Sequence, residues 1–263
     1  MIQELLQSLN GSIDAGSAGI VAVIGAMIGF SSGLFGIGGA LIATPLLKLL
    51  VAMPPMLALA TPLPVALPSA ISGSAAYYKN GLIDFKAVRN VLWSALPANL
   101  LGTWLTQYMH GQVMMLLTGG FMMLVGITFF VRGWLFQESH KPEHSSAAGF
   151  AVTGAIAGFL AGFLAIGGGL VMVPAFVRGM NMKFKKATAT SLFAVAVLSV
   201  PASIGHFLLG HIDVVVALIL ALIAAPMSYL GAQTAIKLRN NTLERIYGTC
   251  MIAFAAYFLL RQV

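Results

Sequence analysis

No charged side chain occurs between Asp14 and Lys48, and none between Glu143 and Arg178. A continuous helix over either run would be about 50 Å long, against a bilayer hydrocarbon core of about 30 Å. Each run must therefore break. The breaks fall at Gly36-Ile37-Gly38-Gly39 and at Gly167-Gly168-Gly169. Glycine there is too dense for an unbroken helix, since each residue costs about 1 kcal/mol relative to alanine.

The rest of the chain divides by the same arithmetic. The run between Arg89 and Arg132 fits two crossings that turn near His110-Gly111-Gln112, and single spans fit residues 58–78, 187–209, 214–236 and 242–260. That makes ten apolar segments, two of them short. Pitch alone leaves open whether the short ones cross (ten spans) or re-enter (eight spans plus two). Composition agrees, with 59% hydrophobic and 8% charged residues. An ordinary soluble surface needs about 25% charged residues. The expected fold is an all-α integral membrane protein in a lipid bilayer.

The two halves are one unit repeated. Adding 129 carries Gly25, Gly29, Phe30, Gly33, Ile37, Gly38, Gly39, Leu41 and Pro45 onto Gly154, Gly158, Phe159, Gly162, Ile166, Gly167, Gly168, Leu170 and Pro174. The same ungapped offset carries Ala60-Thr61 onto Ala189-Thr190, Ser74, Gly81 and Asp84 onto Ser203, Gly210 and Asp213, and Pro97, Gly102, Gly119 and Arg132 onto Pro226, Gly231, Gly248 and Arg261. Residues 1–132 form the first repeat, 133–146 a linker, and 147–263 the second repeat.

Charge orients the copies. Lys79, Lys86 and Arg89 make the basic loop of the first copy, whose counterpart holds His206, His211 and Asp213. The basic loops of the second copy, at residues 178–186 and 237–245, face first-copy loops without Lys or Arg. By the positive-inside rule the repeats lie inverted, with an odd number of crossings each and both termini outside. Inverted repeats with broken helices mark many secondary transporters, with substrate held between the repeats near the midplane.

A broken helix exposes backbone N–H groups where the next segment starts. In lipid they need partners, which an anion supplies with help from the helix dipole. Gly36, Gly38, Gly39 and Ala40, facing Gly167, Gly168 and Gly169, are therefore the expected anion site. A hinge or tight crossing without ligand is the alternative. Thr61 and the pair Thr190-Ser191 are expected to begin the next helix of each copy, where hydroxyls cap that helix or bind an oxyanion. The spaced Gly25, Gly29, Gly33 and Gly154, Gly158, Gly162 serve close helix packing. Pro45 and Pro174 are expected in the first turn of each short segment or at a kink. Asp84 and Asp213 are expected as N-caps. Lys48 is expected to snorkel, and His206 to anchor at the membrane interface, with Tyr77 as its first-copy counterpart.

Other classes fit poorly. The basic residues sit between apolar stretches rather than on one face, which argues against nucleic-acid binding. The single Cys250 excludes an intramolecular disulfide and a cysteine-based metal cluster, and no cofactor is expected. The N-terminus lacks the basic start of a cleaved signal peptide. A rhomboid-like protease would need glycine where Ala70 precedes Ile71-Ser72-Gly73. No feature points to a particular oligomeric state.

Ser32-Gly33-Leu34-Phe35-Gly36-Ile37-Gly38-Gly39, Pro45, Ala60-Thr61 and Gly81-Leu82-Ile83-Asp84 together resemble the TauE/SafE sulfite exporter family. The second copy repeats the pattern through Gly162, Gly167-Gly168-Gly169, Pro174, Ala189-Thr190-Ser191-Leu192 and Gly210-His211-Ile212-Asp213. The resemblance implies a permease for sulfite, organosulfonates such as sulfoacetate, or thiosulfate. The copies depart from each other where Ala40 faces a third glycine, Ala165 faces Gly36, and Pro62 replaces the serine after Thr190. An asymmetric hold on the anion would follow. The expected function is alternating-access transport of a small sulfur-containing anion, with an anion channel or a non-transporting membrane protein as alternatives. For a bare anion, an inside-negative potential favours export by about 2.3 kcal/mol per charge per 100 mV.

Overall fold

The computed structural model describes residues 15–135 and 146–260. Among them the chain forms helices α1 (Ala15–Phe35), α2 (Ala40–Leu50), α3 (Pro55–Ala60), α4 (Pro62–Lys79), α5 (Phe85–Thr106), α6 (Gly111–Leu135), α7 (Ala147–Phe163), α8 (Gly169–Pro174), α9 (Phe184–Leu208), α10 (Val214–Lys237) and α11 (Asn240–Leu260). A π-helical turn, Ala175–Gly179, continues α8. Helices α3 and α4 run on through Thr61 as one apolar stretch, Pro55–Lys79. With that merging, the ten expected segments are present.

Among the described residues, five stretches are long and apolar enough to cross a membrane: Ala18–Phe35, Pro55–Lys79, Gly111–Thr128, Phe184–Leu208 and Val214–Lys237. Helix α5 has similar length but carries Lys86, Arg89, Asn90, Ser94 and Asn99. The chain is apolar on its outside. Trp93, Leu208 and Leu222 are 80%, 79% and 77% exposed, whereas Asn99, Thr188 and Ser228 are fully buried. That distribution suits lipid on the outside and polar partners within.

Packing follows the offset of 129. Helix α1 lies along α10, and α7, its matched segment, lies along α5, the match of α10. Gly29 lies under the backbone of Ala224, and Gly158 under that of Ala95. Gly102 and Gly231 return the contact, against the carbonyls of Phe159 and Phe30. The spaced glycines are thus packing faces, as expected, and all but Gly25 bring two backbones too close for any Cβ. The contacts cross from one half of the chain to the other, so neither half closes its own core.

Helices α5 and α10 are capped locally. Asp84 and Asp213 are N-caps, their carboxylates accepting from the Ala87 and Val216 N–H groups at 3.0 Å each. Lys48 falls in the last turn of α2, partly exposed. Pro45 is the sixth residue of α2, beyond the first turn, and Pro174 ends α8. The missing proline N–H explains why α8 gives way there to a π-helical turn.

Candidate functional site

The two glycine breaks meet in the interior. At the first, Gly36, Gly38 and Gly39 have φ of 71°, 78° and 77°. At the second, Ala165, Gly167 and Gly168 have φ of 56°, 76° and 74°. Left-handed backbone reverses the chain at each break, and glycine adopts it without the Cβ penalty of other residues. Gly39 and Gly168 become the N-terminal flanking residues of α2 and α8, with no side-chain cap on either. Ala40 opens α2. Gly169 opens α8 and donates its N–H to the Gly167 carbonyl at 2.9 Å.

The breaks touch directly. A Cβ on Gly169 would lie 2.6 Å from Ile37 Cα and still closer to the Gly36 carbonyl oxygen. A Cβ on Gly36 would lie 2.5 Å from the Thr188 carbonyl oxygen. These contacts explain why Gly36 and Gly169 resist the alanine found at the matched positions, Ala165 and Ala40.

Polarity distinguishes the breaks. Ser32 lies beside Gly39, with its Cβ 3.4 Å from where a Gly39 Cβ would sit. Thr188 lies beside Gly36. Both are fully buried, and neither hydroxyl has a hydrogen-bond partner. The matched positions around the second break are Ala161 and Leu59. A buried hydroxyl without a partner costs about 1–3 kcal/mol. Unpartnered hydroxyls thus lie against the first break, while Asn99 and Thr103, also buried without partners, pack against Gly162 ahead of the second.

The profile of the family described as sulfite exporter TauE/SafE matches residues 21–258. The chain belongs to this family. The probable membrane transporter protein YunE of Bacillus subtilis (strain 168) is 26% identical to this TauE/SafE chain, over 93% of this chain and 98% of its own length. A probable membrane transporter protein of Xylella fastidiosa (strain 9a5c) is 29% identical, over 90% of this chain and 93% of its own. The probable membrane transporter protein YdhB of Bacillus subtilis (strain 168) is 24% identical over 81% of this chain. No solved structure matches the chain.

In this TauE/SafE chain the expected hydroxyls bond across the two halves, Thr61 and Thr190 as acceptors and Ser191 as a donor. Thr190 and Ser191 do not begin a helix, because α9 starts at Phe184 and places them in its second turn. Thr61 sits between α3 and α4 and caps neither by its side chain. Each threonine instead reaches the other copy. Thr190 Oγ1 accepts from the Asp84 N–H at 3.1 Å, and Thr61 Oγ1 accepts from the Asp213 N–H at 3.0 Å. Ser191 donates to the Gly36 carbonyl at 2.9 Å, bracing the first break from the second half.

These two reciprocal bonds are latches. The Asp84 latch also holds an ion pair, Lys186 Nζ to Asp84 Oδ2 at 3.2 Å. Burial alone would raise the Asp84 carboxyl, but the Ala87 N–H and the Lys186 ammonium outweigh it and hold the group below the ordinary carboxylate value. At the Asp213 latch the residue matched to Lys186 is Leu57.

His206 is not at a surface. It is buried, with Nε2 3.1 Å from the Gly162 carbonyl oxygen and Nδ1 3.3 Å from His211 Nδ1. Tyr77, its counterpart, donates to the matched Gly33 carbonyl at 2.7 Å. Both side chains satisfy a carbonyl in the last turn of a helix before its break. The expectation of an interface anchor gives way to this burial. Near the end of α10, Lys185, Lys237, Arg239, Asn240 and Asn241 line a cavity of about 340 Å³. Lys185, Lys237 and Arg239 give that lining three positive charges.

Proposed function

We propose that this chain is a permease for a small sulfur-containing oxyanion, sulfite or a compact organosulfonate, working by alternating access. One observation carries the reading: two broken helices meet inside a lipid-facing bundle, and two buried hydroxyls without partners, on Ser32 and Thr188, lie against the first break. The anion binds asymmetrically at the first break, between residues 36–40 and 167–169. Ser32 and Thr188 donate hydroxyls, and the start of α2 contributes backbone N–H groups and its dipole. Charge bias supports inverted repeats, with the Asp84 latch inside, the Asp213 latch outside and both termini outside the cell membrane. With both latches closed the site is occluded. Opening one at a time gives alternating access.

Counterflow in proteoliposomes against sulfite, thiosulfate, sulfoacetate, taurine, sulfate and chloride tests this. Saturable flux selective for sulfur oxyanions is expected. Flux that never saturates, or that ignores anion identity, overturns it. Ser32→Ala and Thr188→Val should each raise the half-saturating concentration about tenfold or more, as the loss of a hydrogen bond to a charged ligand does. Unchanged affinity in both variants would move the anion elsewhere.

A further inference from the structure

The two copies close their breaks with different chemistry. Tyr77 ties the first copy to Gly33, and Leu82 follows at the position matched to His211. In the second copy two imidazoles replace them, buried His206 and half-buried His211, their Nδ1 atoms 3.3 Å apart. The Gly162 carbonyl can only accept, so His206 Nε2 carries a hydrogen. In neutral His206, Nδ1 is then an acceptor, and His211 Nδ1 donates to it.

This chain of bonds can take up one proton without breaking. If His211 is charged, its Nδ1–H still donates to His206. If the proton passes along that bond, His206 becomes the imidazolium, donating from Nε2 to Gly162 and from Nδ1 to neutral His211. A second proton would set two donors face to face and break the bond. Other ionisable groups do not intervene. Helix α7, which supplies Gly162, has none, and neither do residues 99–106 of α5 or residues 62–76 of α4. The connecting turn adds only Asp213, whose carboxylate is held by Val216 N–H. Among the described residues no three His, Cys, Asp or Glu side chains gather for a metal.

We infer that His206 and His211 form a one-proton binding site, and that the proton and the transported anion bind cooperatively. An imidazolium at His206 would be bonded only to His211 and the Gly162 carbonyl, with no carboxylate paired to it, and burying an unpaired charge is costly. Gly162 lies in the last turn of α7 before the second break, and on the proposed site an anion where the breaks meet would be that counter-charge. In turn, the proton raises the anion's affinity. The inference rests on the proposed anion site, but the proton site can be tested without it.

Ring nitrogen-15 spectra of histidine-labelled protein in nanodiscs, followed against pH, read the site directly. One joint transition of both rings, with no second transition until much lower pH, is expected. Two independent titrations at ordinary histidine values would overturn the site, whatever the protein transports. Thiosulfate, whose charge is constant over the range, then probes coupling. Above the joint transition its affinity should fall about tenfold per pH unit, one proton taken per anion. His206→Tyr with His211→Leu, which installs the first copy's pair, should retain the fold and bind thiosulfate independently of pH. His211→Leu alone serves if the double variant fails to fold, and should lose the joint transition. pH-independent affinity in wild type would overturn the coupling. Absence of any thiosulfate binding would also overturn the coupling claimed for this anion and count against the proposed permease, leaving the spectra to decide the proton site.

Discussion

The Asp84 and Asp213 latches are built from matched positions, with backbone bonds of 3.1 and 3.0 Å to threonines of the opposite half. They differ in charge. The Asp84 latch adds a fixed ion pair with Lys186, whereas the turn of the Asp213 latch carries the His206–His211 pair. The same contrast recurs at the breaks, where Ser32 and Thr188 attend the first and Ala161 and Leu59 stand at the matched positions of the second. The matched positions share a left-handed backbone break, with φ of 78° and 77° at Gly38 and Gly39 and 76° and 74° at Gly167 and Gly168. Side-chain divergence then sets the proposed binding break apart from its match and gives the two latches different charge.

The largest effect should come from exchanging the residues that keep the breaks unlike. Gly169→Ala forces a Cβ against Ile37 and the Gly36 carbonyl, backbone atoms that cannot swing aside. It should cost about 3 kcal/mol, in the range of overpacked cores, and lower the thermal midpoint in detergent by several degrees. The reverse change, Ala40→Gly, should cost under about 1 kcal/mol, the helix propensity difference. Equal losses in both variants would show that the breaks are not in the contact described.

Much of this architecture is legible in the chain. The lengths of the charge-free runs force the breaks, and a constant offset pairs them, because membrane thickness and duplication act on sequence directly. Asp84 and Asp213 are readable as caps because a cap acts within three residues. The hydroxyls are not readable in the same way. Thr61 and Thr190 look like local caps, yet their partners lie 152 and 106 residues away. Thr188 becomes a candidate ligand only because Gly36 packs against it from the other half. His206 and Tyr77 align by offset, but their shared task depends on a carbonyl 44 residues away.

A smaller effect separates the latches themselves. Thr61→Val and Thr190→Val each strand one Asp N–H, at about 1–3 kcal/mol if that group stays buried. Asp84 keeps Lys186 after the loss, whereas the residue matched to Lys186 at the Asp213 latch is Leu57. Thr61→Val should therefore open its mouth more than Thr190→Val opens the other. Labelling rates of single cysteines placed at positions 82 and 211, in a Cys250→Ala background, measure this. Equal acceleration at both would mean that the ion pair adds nothing to closure.

The smallest effect isolates that ion pair. Lys186→Met should cost under about 1 kcal/mol, because both side chains are about a third exposed and the attraction is screened. Its pH dependence is more telling than its size. Asp84 is held below the ordinary carboxylate value in the folded chain. Its contribution is therefore present above the unfolded value of about 3.9 and is lost as pH falls through the lower folded value. Between wild type and Lys186→Met, the difference in thermal midpoint should be constant near neutrality and shrink in acid. Raising salt at neutral pH should shrink it as well. A difference that survives both treatments would assign Lys186 to packing through its methylene stem rather than to the charge that distinguishes the two latches.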